Sequence, residues 1–470
     1  MAMRKISPIV GLGAIVAICI SSGCSRTSPE DDIPGDAAQS PKLILIIGDG
    51  MDDHQITIAR NYLHGQNGRL VLDDMTWRSS VQVRTVLESD PSSSRYVGDS
   101  ANSATAMATG ILTSAGRIAT TAATDEDATT ILELASAAGF GTGIVTTASV
   151  TDATPASFVA HINQRLCQSP RSMVSTNAGN PQFSTNCSAD LIANGGRGSI
   201  AEQIADSRLD IILGGGLRQF DQPAEAEAET TVLDIARSNG FTVITQADAL
   251  TTIEPGERVL GLFAGGTMPV RWRGTNDAVA EPIARDSTGQ LVPHEAFSCE
   301  PEPGFAGTPT LAQMTRAALS QFDSSRSFAL VVESASIDKQ SHLRRPCGQI
   351  GELQQLDETL ALALEYSTEH PETLILVTAD HGQAAQLIPE ASLFAAQNYA
   401  TPGYFARLRT REGAVMGVNY PTNDSPIQED HTGTQVPLLA NAVPSGNLPA
   451  MIQQTEIFGI MLRHLGLSPP

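Results

Sequence analysis

Within ESASIDKQSH, residues 333 to 342, stand Glu333, Asp338, Lys339 and His342. Asp338 and His342 are four apart, the spacing that sets two side chains on one face of a helix. A carboxylate beside an imidazole is a ligand pair for a zinc-type divalent ion. DxxxH alone is a weak signal, because solvated helix faces produce it often. Two other stretches sharpen it: TADHG sets Asp380 beside His381, and QEDHTGTQ holds His431 in a Gly- and Thr-rich loop with no evident packing role. The other six histidines, His54, His64, His161, His294, His370 and His464, have no comparable setting and are read as ordinary polar residues. A different question comes from YVGDSANSATAMATG, residues 96 to 110. Its small residues suit close helix packing, which leaves Asp99 and Ser100 at its front unexplained.

These side chains need elements to place them. Short apolar runs bounded by Gly, Asp or Thr start at Leu43, Gly143, Asp210, Phe241, Val259, Phe328 and Thr373, and their composition predicts buried strands. Helical patterns lie between several of them, as in DATTILELASAAG (127–139), which ends at Gly139, and the run from Gly351 to Ser367. Strand and helix in alternation predict the α/β class: a large, mostly parallel central sheet with helices on both faces, a three-layer sandwich. In such sheets the site lies at the carboxyl ends of the strands. Asp49 follows LILIIG, Glu333 follows FALVV, and Asp380 with His381 follows TLILVTA, so three strands aim carboxylates at one edge. Each acid alone could merely cap a helix; three together, one with a histidine attached, are poorly explained that way. No internal repeat is visible, and residues 42–470 are read as one domain with loop insertions, the longest surface excursion falling at about 275–308.

The 470 residues carry a formal charge of −22, with 51 acidic against 29 basic side chains and 41% hydrophobic content. That balance disfavours nucleic acid as a partner, and no basic patch offsets it. Lys5, Lys42 and Lys339 are the only lysines, which makes an interior lysine beside Asp338 conspicuous, although arginine bias accounts for the scarcity. Residues 1–23 have the form of an export signal: Arg4 and Lys5, an apolar stretch, then SSGC. SSGC is similar to a lipoprotein signal with Cys24 as the lipidated residue, but Ser21 stands where leucine is preferred, so a lipid anchor and ordinary cleavage both stay open. Residues 24–41 make a polar, Pro- and Asp-containing tether. Beyond it lie Cys167, Cys187, Cys299 and Cys347, an even set that in an exported, periplasmic chain predicts two disulfides. Of three pairings, Cys167 with Cys187 and Cys299 with Cys347 close the shorter loops and are preferred, each stabilising by about 3 to 4 kcal/mol. Without a CxxC pair, a four-cysteine zinc site is a poor alternative.

Together the stretches LILIIGDGM, VGDSANSATA, DATPASFVAHINQRLC, LGLFAGGTMPVRW, PTLAQMT, ESASIDKQSH, CGQIGE, VTADHG and EDHTGTQ give the chain, from about residue 42 to its end, a resemblance to bacterial alkaline phosphatases. The resemblance implies a homodimer that hydrolyses phosphate monoesters through a phosphoserine, is inhibited by inorganic phosphate, and uses two Zn2+ and one Mg2+. It implies Ser100 as nucleophile and Arg165 as phosphate clamp. Asp338, His342 and His431 match the ligands of the first zinc. Asp49, Asp380 and His381, joined by Ser100, match those of the second. Asp49, Thr154 and Glu333 match the magnesium ligands, Asp152 the residue that holds magnesium-bound water, and Lys339 its partner.

Two departures from the family pattern stand out. Gln383 replaces a histidine usual two residues after the site histidine, and Asp52 and Asp53 add negative charge near Asp49. Rival functions weigh less. A sulfatase needs a CxPxR-type setting that DSANSA lacks, a phosphodiesterase more often carries a threonine nucleophile without the arginine, and an exported phosphate- or metal-binding protein would leave the nucleophile unexplained.

Overall fold

A strand covered on both faces needs no alternation of polar and apolar residues, and β1 (Lys42–Gly48) is buried at every position. β1 lies in a computed structural model that describes residues 40–470 apart from 179–182, 228, 323 and 444–447. The export signal, Cys24 and nearly all of the tether lie outside the described residues.

Nine further strands share its sheet: β2 (Trp77–Gln82), β3 (Gly141–Ser149), β4 (Ile211–Gly215), β5 (Thr242–Ile244), β6 (Val259–Leu262), β7 (Phe328–Ser334), β8 (Thr373–Ala379), β9 (Val436–Ala440) and β10 (Met451–Gln453). Their order is β10-β2-β9-β8-β1-β7-β3-β4-β6-β5. β9 runs antiparallel to β8 and β2; the other pairings are parallel. All seven apolar runs form strands here. The edge formed by β9, β2 and β10 was not anticipated: WRSSVQ is half polar, VPLLA contains proline, and MIQ is three residues long.

The helices that bear on the site are α1 (Asp53–His64), α2 (Ser100–Thr109), α3 (Ala153–Ala156), α4 (Leu311–Gln321), α5 (Ser336–His342), α6 (Pro346–Glu369) and α7 (Glu456–Leu465). α1, α4 and α6 pack together on one face of the sheet; α2, α3, α7 and the helix Ile131–Ala137 cover the other. That last helix is shorter than its apolar pattern, because Thr130 caps it by accepting from Glu133 N. α6 starts five residues before Gly351, with Pro346 in its first turn, where a missing N–H costs nothing.

A four-stranded antiparallel sheet, Glu281–Pro282, Tyr404–Arg409, Val415–Tyr420 and Gln386–Ile388, lies apart from the main one. It pins the 275–308 excursion, whose other end is tied to α6 by the Cys299–Cys347 disulfide. The other disulfide joins Cys167 to Cys187.

Candidate active site

Parallel register brings the acids level. Gly48 pairs with Ser334 on one side and with Ala379 on the other, so Asp49, Glu333 and Asp380 emerge at the carboxyl ends of three adjacent strands. All three are buried. α5 starts two residues beyond β7 and carries Asp338, Lys339 and His342 back over this edge.

Three histidines meet there, and their backbone partners fix which ring nitrogen is free. His342 Nδ1 donates to Glu429 O (2.5 Å), His431 Nδ1 to Gly98 O (3.0 Å) and His381 Nδ1 to Gly382 O (3.2 Å). A carbonyl only accepts, so in each neutral ring the proton sits on Nδ1 and Nε2 presents a lone pair. These lone pairs converge: His342 Nε2 is 3.0 Å from His431 Nε2, and Asp338 Oδ1 lies 3.3 and 3.4 Å from the two. His381 stacks on His431 with ring centres 3.7 Å apart. Its Nε2 is 3.5 Å from Asp49 Oδ1 and 3.3 Å from Asp380 Oδ2, and neither of those buried oxygens meets a hydrogen-bond donor among the described residues. Acceptors facing acceptors in a buried site are costly unless a bound cation or a proton lies between them. Two groups have ligand-like spacing, Asp338–His381–His431 and Asp49–Asp380–His381. His381 thus belongs to both, while the expected third member of the first set, His342, joins through His431. The donor set suits divalent zinc-type ions.

Ser100 opens α2 with its Oγ 3.2 Å from His381 Nε2. Every residue of α2 is buried, so Ala101, Ala104 and Ala108 allow the close approach their size suggested. Asp99 caps the helix by accepting from Asn102 N (3.1 Å), and also accepts from Gly116 N (3.1 Å) and Arg165 Nη1 (3.2 Å). Arg165 donates its other arm to Asp152 Oδ1 (3.1 Å), whose Oδ2 accepts from Lys339 Nζ (2.6 Å). Burial alone would push the Asp152 carboxyl up, but Lys339 and Arg165 outweigh it and hold Asp152 well below the carboxylate range. Lys339, which burial would discharge, is held firmly protonated by Asp152 and Asp49.

Glu333 forms the remaining corner. It accepts a short hydrogen bond from Thr146 Oγ1, and burial raises its pKa to about 7 against the pull of Lys339. Thr154 Oγ1 lies beside it and favours its charged form, yet meets no partner at hydrogen-bond geometry. Burial, then Asp380 and Asp338, push Asp49 well above the usual range. An oxygen-only corner of this kind, with an orphaned hydroxyl, suits a hard cation such as Mg2+.

The residues singled out as departures take definite places, and Gln454 joins them unforeseen. Gln383 Nε2 donates to Asp338 Oδ1, supplying from an amide the support that the missing histidine would give. Gln454 Nε2 holds Asp380 O at 2.7 Å. The charge expected from Asp52 and Asp53 is largely answered: Asp52 caps α1 through His54 N (2.7 Å) and its pKa is raised by burial to about 6, whereas Asp53 is exposed and paired with Arg78.

Lone pairs that suit divalent cations, with a hydroxyl at a helix end and an arginine held between two aspartates, fit a metal-assisted hydrolase that works on phosphoesters. The family follows from likeness. A family model described as alkaline phosphatase matches residues 41–401. The chain is 39% identical to streptomycin-6-phosphate phosphatase of Streptomyces griseus, over 97% of this chain and 96% of that one. It is 38% identical to alkaline phosphatase of Escherichia coli, over 91% and 86%. Alkaline phosphatase from the Antarctic bacterium TAB5 superposes with a TM-score of 0.65 at 21% identity, over 91% of this chain and 99% of that one, a likeness of fold. The chain belongs to the alkaline phosphatase family and is a phosphomonoester hydrolase.

Proposed function

We propose that this chain hydrolyses phosphate monoesters through a phosphoserine at Ser100. Zinc ions held by Asp338, His342 and His431, and by Asp49, Asp380, His381 and Ser100, with a magnesium ion held by Asp49, Thr154 and Glu333, would supply Lewis-acid stabilisation of attacking and leaving oxygens. Arg165 binds two non-bridging oxygens in the planar fork that lysine cannot offer. Lys339 and Asp152 hold charge behind it, and Asp152 would orient a water toward the magnesium position. Ser100 Oγ, where helix N–H groups favour negative charge, bonds to phosphorus as the bond to the alcohol oxygen breaks. Water then displaces Oγ from the opposite side, restoring the hydroxyl and releasing inorganic phosphate. Two in-line displacements retain configuration at phosphorus.

The observation that carries this reading is Ser100 Oγ against Nε2 of His381, the residue common to both ligand-like groups. Ser100→Ala should keep its zinc and lose nearly all turnover of p-nitrophenyl phosphate, with no phosphoenzyme in acid quench. Turnover near that of the parent, or preference for the bis-ester, refutes the assignment. Aminocyclitol phosphates belong in the substrate panel, given the relative named streptomycin-6-phosphate phosphatase and a chain of −22 charge that suits a cationic alcohol. The same proposal has the chain exported to the periplasm by residues 1–23, with Cys24 as the candidate lipid anchor. It has the chain act as a homodimer under product inhibition by phosphate.

A further inference from the structure

Arg344, two residues beyond His342, has φ 58°, a left-handed conformation that a non-glycine residue keeps only where its contacts over-determine it. Those contacts are several. Its Nε donates to Glu429 Oε1 at 2.6 Å and Nη2 to Ser425 O at 2.5 Å. Its guanidinium lies 3.5 Å over the Tyr404 ring of the small antiparallel sheet, and Ala280 N donates to its carbonyl at 3.0 Å. Glu429 is 0% exposed, so its charge depends on partners: Arg344 on one oxygen, Thr422 N (3.0 Å) and Thr422 Oγ1 (2.5 Å) on the other. Glu429 also grips His342 twice through its backbone, donating from N to His342 O at 3.0 Å and accepting at O from His342 Nδ1. His431 follows two residues later. Neither Arg344 nor the Glu429 side chain takes part in the chemistry above.

We propose that the buried Arg344–Glu429 pair is a positioning device for the first metal position. It fastens the 422–431 loop to the end of α5, so the Glu429 carbonyl keeps the proton of His342 on Nδ1 and holds Nε2 against Nε2 of His431. This rests on reading Asp338, His342 and His431 as ligands of one zinc. Arginine is required for its shape as well as its charge: the fork reaches Glu429 and Ser425 at once while its plane stacks on Tyr404.

The test is zinc affinity of the metal-stripped full chain, measured by competition with a chromophoric chelator, with far-UV circular dichroism to count folded molecules. Arg344→Met should weaken one zinc position about 10- to 100-fold, the range for groups that orient a ligand, and leave the other unchanged. Arg344→Lys, which keeps the charge and loses the fork, should fall between. If Arg344→Met misfolds around an unpaired Glu429, the double variant Arg344→Met, Glu429→Gln removes both charges and should still lose affinity at that position. Parent-like affinity at both positions in a folded variant, or equal weakening of both, overturns the proposal. A parent protein that takes up no zinc overturns the metal reading beneath it instead.

Discussion

Asp99→Asn separates the two tasks of the acid that precedes the nucleophile. Oδ1 accepts from Asn102 N at 3.1 Å, Gly116 N reaches both oxygens at 3.1 Å, and Oδ2 alone accepts from Arg165 Nη1 at 3.2 Å. Asparagine caps a helix as well as aspartate does, and its Oδ1 can keep Asn102 N and the Oδ1 branch of the shared Gly116 N–H. Its Nδ2 then replaces Oδ2, so a donor faces a donor across the gap that now holds an ion pair. A hydrogen bond to a charged group contributes about 1.5–3 kcal/mol. These side chains are 23% and 22% exposed, so screening favours the low end, and Asp152 still holds the other arm of Arg165. A half-tethered guanidinium should therefore lose about 1 kcal/mol of phosphate binding, roughly a fivefold rise in the inhibition constant of inorganic phosphate, since 1.4 kcal/mol is tenfold. Competitive inhibition of p-nitrophenyl phosphate turnover measures it, beside thermal unfolding, which should barely change. Asp99→Ala should show the same loss and also cost about 1 kcal/mol of stability with the cap. An inhibition constant that stays put or falls in Asp99→Asn refutes the reasoning, since it would mean that Asp99 competes with phosphate for Arg165.

Glu352 is 1% exposed and accepts from Thr147 Oγ1 (2.9 Å) and Gln355 Nε2 (2.8 Å), with burial raising its pKa from 4.5 to about 7. The folded protein then binds a proton that the unfolded chain releases, so this group's contribution falls as pH rises from about 4.5 to 7, by an amount of order 3 kcal/mol. Glu352→Gln should flatten that part of the stability–pH curve in urea unfolding; an unchanged slope counts against a protonated Glu352. Chelation should expose the same sign more strongly, because Asp49 and Glu333, both raised by burial, must charge without a counter-ion. The melting temperature of the stripped protein should fall further below that of the metal-loaded protein at pH 8 than at pH 5, and a gap independent of pH would refute this. Replacing Cys299 and Cys347 together by serine opens a loop of 48 residues and should cost about 4 kcal/mol in the chain-entropy model. A loss below about 1 kcal/mol in denaturant unfolding would show that the small sheet pins this segment without the bond.

What the sequence determined by itself was local or periodic. Continuous apolar runs specified seven strands of the sheet, because a strand covered on both faces must be apolar throughout. The residues at their ends specified which acids stand at one edge, and four-residue spacing set Asp338 and His342 on one side of α5. Thr130, Asp99 and Asp52 cap their helices in the structure, a local role not assigned to them from the sequence. Tertiary structure decided the rest. β2, β9 and β10 are strands because neighbours supply ladder partners that their mixed composition does not announce. His381 serves both carboxylate groups, and Gln383 replaces a missing histidine, through approaches that no spacing encodes. Ser100 and His381 meet across 281 residues, and Glu429 reaches Arg344 across 85. Contacts of that span rest on the register of a parallel sheet and the packing of loops at its edge. Local propensity carries no information about which loop will fold over which strand end.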